Sequence, residues 1–223
     1  ARIRILIMGI VIMGVIYQAD AQSTVYSRNA FGYQRVTTPL DGYRMMSVPF
    51  DTAPADINQI IGAQVTGGKG IEDSDNILFF DTATQQYKLL YLLGNVGDTN
   101  YNFKWIDTSL DPDDLATTLL PAGMGFWFRN RQPVDQSMTL VGEIVDSSNQ
   151  TVSIVSGYQM VAYPFSSPVE INGASLTNGA VAGLGLEDSD NIIMWDPDTK
   201  AYTYYYLLAS ANPAYNLKWI DTS

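Results

Sequence analysis

The chain has 223 residues, 23 acidic against 12 basic side chains, a formal charge of −11, and neither histidine nor cysteine. So acidic a surface does not gather the Lys and Arg clusters that release counterions from nucleic acid or hold anionic lipid, which excludes nucleic-acid partners. Without histidine or cysteine there is no Ser-His-Asp or Cys-His nucleophile and no His-ligated zinc, so catalysis would have to run on carboxylates, as in glycoside hydrolysis.

Residues 1–21 read as a secretory signal peptide. Arg2 and Arg4 form a positive start, residues 5–16 an apolar stretch, and Ala19-Asp20-Ala21 a small-x-small cleavage site. That stretch is short of the roughly 20 residues a membrane span needs. Cleavage leaves Gln22 first and directs the chain to the extracellular space, the cell surface or the periplasm, with no membrane association in the visible mature part. Residues 22–31 are a polar lead-in.

Residues 33–40 alternate loosely and carry Val36, Thr37 and Thr38, a strand pattern that meets the Asp41-Gly42 turn. Residues 43–48 form a second strand, ended by Pro49. A short helix follows: Pro54 suits its first turn, Ile57, Ile60 and Ile61 share a face, and Gly62 suits its end. Residues 76–81 and 87–93, split by a tight turn, form a hairpin that is apolar on both faces, so layers are expected above and below it. A strand at 103–106 comes next, then a turn from Asp111-Pro112-Asp113-Asp114 that opens one helical turn through Leu120. Strands at 126–129 and 137–144 close the unit.

Much of this recurs. Gly42-Tyr43-Arg44-Met45 returns as Gly157-Tyr158-Gln159-Met160, and Glu72-Asp73-Ser74-Asp75-Asn76 as Glu187-Asp188-Ser189-Asp190-Asn191, both 115 residues on. Lys104-Trp105-Ile106-Asp107 returns as Lys218-Trp219-Ile220-Asp221, 114 residues on, so one residue is lost between these blocks. A fixed period of this size means two copies of one module. Module 1 spans 32–146 and module 2 spans 147–223; the second lacks a counterpart of residues 110–146, which predicts roughly 36 further residues beyond Ser223. The expected fold class is all-β: two tandem β-sandwich or small-barrel-like modules, the second truncated, with little helix. In module 2, Asn172-Gly173 should cut the helix shorter.

Two sets of residues carry candidate chemistry. Glu72, Asp73 and Asp75, with Glu187, Asp188 and Asp190, cluster carboxylates beside glycine on a loop, as calcium favours. The spacing is not that of an EF-hand, because Ile77 and Leu78 stand where an oxygen ligand and glycine belong. The other reading is a turn whose Asp and Asn side chains bond local backbone. The second set is aromatic. Trp105, Trp219, Tyr204 and Tyr206 would serve as a stacking surface for sugar rings, or else as core mass with a polar tip.

The blocks Gly42-Tyr43…Ser47-Val48-Pro49-Phe50, Asp75-Asn76-Ile77…Asp81 and Leu119-Leu120-Pro121…Gly125-Phe126-Trp127 define a pattern, repeated in part at Gly157-Tyr158…Ala162-Tyr163-Pro164-Phe165 and Asp190…Asp196. With these motifs the chain resembles a family of poorly characterised secreted bacterial proteins built from a signal peptide and tandem β modules. The resemblance covers nearly all the mature chain and implies fold and address. The expected function is a secreted, non-catalytic repeat protein with a structural or adhesive cell-surface role. The alternative is a carbohydrate-binding accessory module, stabilised by calcium. Expected partners are extracellular polysaccharide or a surface protein.

Overall fold

Period-two burial, rather than propensity alone, selects which segments pair. The computed structural model describes residues 30–52, 55–110, 112–145 and 150–222. The signal-peptide reading and Pro54 lie outside these residues. Strand β1 (Phe31–Thr38) pairs antiparallel with β8 (Gln136–Glu143). A six-stranded sheet runs in the order β2 (Tyr43–Ser47), β7 (Gly125–Arg129), β3 (Asn76–Asp81), β4 (Gln86–Leu93), β5 (Lys104–Asp107), β6 (Asp114–Leu115). A three-stranded sheet runs β11 (Lys218–Asp221), β10 (Ala201–Leu208), β9 (Asn191–Asp196). Every strand pair in these sheets is antiparallel and the sheets stay open, so the fold is an all-β sandwich type and not a barrel.

One face of the six-stranded sheet is the core face. Ile77 and Phe79 of β3, Phe126 and Phe128 of β7, Leu90 and Leu92 of β4, and Trp105 of β5 alternate inward and are buried. Met138 and Leu140 of β8 and Ile57 and Ile61 beside the helix cover them from the other layer. Each such side chain stabilises the fold by about 1.5–3 kcal/mol relative to exposure. The helix α1 (Ile57–Ile60) starts at a capping box: Asp56 accepts from the Gln59 N–H (3.1 Å) and the Gln59 side chain accepts from the Asp56 N–H (3.0 Å). Gly62 ends it at φ +55°. In the second copy only a single 3-10 turn forms, Ile171–Gly173, as Asn172-Gly173 predicts.

The two hairpins keep one register. Asn76 faces Tyr91 and Asp81 faces Gln86; 115 residues later Asn191 faces Tyr206 and Asp196 faces Ala201. Leu93 faces Lys104 as Leu208 faces Lys218. The lost residue therefore lies in the loop between these strands. Phe103 and Leu217 share φ +56° there, whereas Asn95, at φ +58°, sits in the stretch where the first loop carries its extra residue.

Two expectations fail. Residues 112–120 form no helical turn. Asp114–Leu115 adds a strand to β5 instead, with the Ala116 N–H donating to the Trp105 carbonyl at 2.8 Å. An open sheet edge with unpaired backbone groups outweighs a weak local turn preference. The second failure lies at 157–162, which repeats β2 in sequence yet makes one isolated bridge, Val161 to Met124. In the first copy β2 pairs with β7 alone and β1 with β8 alone. Both partners belong to the closing block, whose second-copy counterpart is not among the described residues. A strand sequence without its partner edge does not become a strand.

Candidate functional site

The acidic turn of the first copy is a tightly satisfied structure. Gly67 and Gly68 bring residues 66–68 against it, and a Cβ on Gly68 would meet the Asp73 carbonyl oxygen at 2.5 Å. Asp73 accepts backbone N–H bonds from Lys69 (3.0 Å) and Gly70 (2.8 Å). The Lys69 N–H is the main cause holding its carboxyl below the ordinary value. Ser74 is buried, accepting from the Gly68 N–H and donating to the Gly70 carbonyl. Asp75 is also buried and accepts from the Thr66 N–H and the Arg131 N–H, both at 2.9 Å. Its burial pushes the carboxyl above its ordinary value, against the pull of those N–H groups.

Arg131 completes this turn, and nothing in the local sequence announced it. Its Nε donates to the Asn76 side-chain oxygen at 2.8 Å, and its guanidinium reaches Glu72 at 2.6 Å. Glu72 is 85% exposed, so that ion pair adds little energy; the buried bonds to Asp75 and Asn76 fix the geometry.

The second copy reproduces the local part. Asp188 accepts from the Leu184 and Gly185 N–H groups, and Asp190 accepts from the Val181 N–H at 2.8 Å. The Leu184 N–H is the first cause lowering Asp188. Here Glu187, Asp190 and Asn191 are exposed, whereas Asp75 and Asn76 are not. Among the described residues no group of three or more acidic side chains converges as a metal-binding cluster. The carboxylates of Asp73, Asp75, Asp188 and Asp190 turn onto backbone N–H groups of their own loops.

The aromatic candidates divide. Trp105 is fully buried, its indole N–H donating to the Gly62 carbonyl at 2.9 Å, and Trp219 is 5% exposed. Both rings are core mass; Trp105 and Ile106 put a buried apolar residue on each face of the strand, and sequence alone does not say which face looks inward. Tyr204 stands on the outer face, 41% exposed, and Tyr206 is half-buried.

A different set converges where the outer faces of the two hairpins meet. Tyr43, Leu78, Tyr87 and Trp127 from the first copy and Trp195 and Tyr202 from the second line a recess of about 280 Å³. Trp127 packs edge-on against Trp195, centroids 5.3 Å apart, and Trp195 against Tyr202 at 4.9 Å. The Trp127 indole N–H reaches the Tyr87 hydroxyl at 3.3 Å. Beside this seam the Gln85 side chain bonds both the N–H (2.7 Å) and carbonyl (3.1 Å) of Tyr158, and the Ala162 N–H donates to the Gly123 carbonyl at 2.9 Å. Phe80 and Tyr87 are the first-copy counterparts of Trp195 and Tyr202, so the repeat was the one signal that pointed here. Chemically, the seam offers stacking faces and phenol hydroxyls.

No family model, curated protein or solved structure matches the chain. Among the described residues no helix is long and apolar enough to cross a membrane.

Proposed function

We propose that the chain is a secreted, non-catalytic repeat protein with a structural or adhesive role at the cell surface. The observation that carries this reading is the inter-repeat seam. Trp127 against Trp195, Gln85 against Tyr158 and Gly123 against Ala162 tie the copies together by ring packing and by backbone. Repeats fixed to one another present similar surfaces at a set spacing, so weak contacts reinforce each other through linkage. The test is address and loss. Cells that make the chain should expose it to added protease with Gln22 as its first residue, and deleting it should weaken attachment. Retention inside the cell with residues 1–21 still attached would sink the reading.

The aromatic recess favours a second reading, a carbohydrate-binding accessory module. Tyr87 and Tyr202 are 50% and 46% exposed and line the recess with Trp195, offering aromatic faces that can stack on sugar rings. In a gel loaded with soluble polysaccharide the protein should be retarded, and Trp195→Ala should lose most of that retardation while Tyr33→Ala, an exposed residue of β1 that does not line the recess, keeps it. Repeating the gel with calcium and with chelator tests the calcium part. Equal mobility in both removes Glu72, Asp73, Asp75, Glu187, Asp188 and Asp190 as ligands.

A further inference from the structure

The outer face of the six-stranded sheet carries a cation that the fold does not use. Arg129 ends β7, opposite Tyr43 on β2 and Asn76 on β3. Its guanidinium carbon lies 5.1 Å from the centroid of the Tyr43 ring, a cation–π arrangement. Its Nε is buried without a hydrogen-bond partner, and among the described residues no carboxylate pairs with it. Neighbouring cations are used: Arg131 reaches Glu72, Arg44 donates to the Thr37 carbonyl, and Lys88 pairs with Asp81. In a chain with 23 acidic against 12 basic side chains, a half-buried guanidinium beside none of those acids points to an anion from outside the chain. Tyr43 is also a wall of the aromatic recess. Trp127 lies two residues before Arg129 on β7, so both side chains leave the same face of the sheet. The recess thus offers ring faces along its walls and a positive charge at its Tyr43 end, and that charged end is built from the first copy alone.

We propose that the recess binds an acidic saccharide, with a sugar ring against its exposed tyrosines and the sugar carboxylate on the Arg129 guanidinium. Arginine meets a carboxylate through parallel charge-assisted N–H bonds, which fix the orientation of the sugar as well as its charge. A recess of about 280 Å³ falls just under the roughly 300–1,000 Å³ of small-molecule clefts, so it suits a ring or two and not a long chain segment. The formal charge of −11 repels a densely charged polymer. The ligand that fits therefore carries a single carboxylate among neutral rings. This inference rests on the carbohydrate-binding reading and deepens it by naming the class of sugar.

The experiment titrates xylo-oligosaccharides bearing one uronate into the whole protein and follows tryptophan fluorescence, since Trp127 and Trp195 line the recess. Glucuronate, galacturonate and mannuronate each take the charged position. Each acid is matched by its methyl ester, which keeps the rings and removes the charge. Saturable binding of an acid is expected, with its ester about tenfold or more weaker, the loss of a charge-assisted pair. Arg129→Gln should lower the acid to the level of the ester and leave the ester unchanged. Arg35→Gln, at an exposed arginine of β1 outside the recess, should change neither. The comparison of acid with ester needs no variant, so it decides even where Arg129→Gln loosens the fold. Equal binding of acid and ester overturns the proposal and leaves the carbohydrate-binding reading standing. No saturable binding of any acid overturns it too, while retardation by neutral polysaccharide in the gel decides the broader reading by itself. An acidic peptide that matches the best acid, and loses its binding in Arg129→Gln, also overturns it and assigns the arginine to a protein partner.

Discussion

Trp105→Ala should cost the first repeat about 3–5 kcal/mol, read as a lowered denaturation midpoint, in the range for truncating a large buried aromatic. Trp105 is fully buried inside the core cluster, so alanine leaves a cavity that rigid strands on either side close only in part. The substitution also strips the Gly62 carbonyl of the indole donor that ends the helix against β5. The equivalent change in the second repeat, Trp219→Ala, should cost clearly less. Trp219 is slightly exposed, and its indole nitrogen has no hydrogen-bond partner among the described residues. Its backbone is held instead by Asn172, which bonds both its N–H (2.8 Å) and its carbonyl (3.1 Å) whatever the side chain. In the first repeat Asn58 takes the Trp105 N–H but turns its amide to Ala116, because β6 already occupies the carbonyl. Equal losses at the two tryptophans would contradict this difference between the repeats.

The contrast shows what was legible in the sequence and what was not. Strands β3, β4, β9 and β10 were readable because apolar runs met turn residues at a repeated spacing, and two copies of a weak signal reinforce each other. The helix was readable from Ile57, Ile60 and Gly62. Strand β6 was not, since two residues carry no period and the demand for pairing came from the β5 edge. Nor was the loss of strand at 157–162. Its residues match β2, and only the sheet order reveals that β2 depends on β7. Between the two readings of Trp105 and Trp219, core mass or sugar-facing ring, the sequence could not choose for a related reason: period two says which residues share a side but not which side meets water. Arg131 is the clearest miss. It acts on a turn about 55 residues earlier in the chain, and one basic residue after a strand has no local mark.

Asp75→Ala should destabilise the first repeat by about 2–5 kcal/mol, because it leaves the Thr66 and Arg131 N–H groups without acceptors at roughly 1–3 kcal/mol each. Asp75→Asn should fall between, since its amide keeps one acceptor and points an N–H at the other donor. Asp190→Ala should cost less than Asp75→Ala, because Asp190 is exposed and water replaces what the Val181 N–H loses. The pH profile separates this account from simple packing loss. Burial raises the folded carboxyl of Asp75 above its unfolded value. Between those two values the folded state binds more protons than the unfolded state, so stability is full below the unfolded value and declines as pH rises through the folded one. Asp73 and Asp81 are lowered by backbone N–H bonds, so their contribution runs the other way and is lost as pH falls below the ordinary carboxylate range. Urea midpoints measured across the acidic range should therefore show a decline on the upper side of the carboxylate window that vanishes in Asp75→Ala, while the acid-side loss from Asp73 and Asp81 persists. A variant that keeps the upper-side decline would place the raised group elsewhere. A variant as stable as the parent would mean that the two N–H groups find water, and that the turn is held by Arg131 and Ser74 alone.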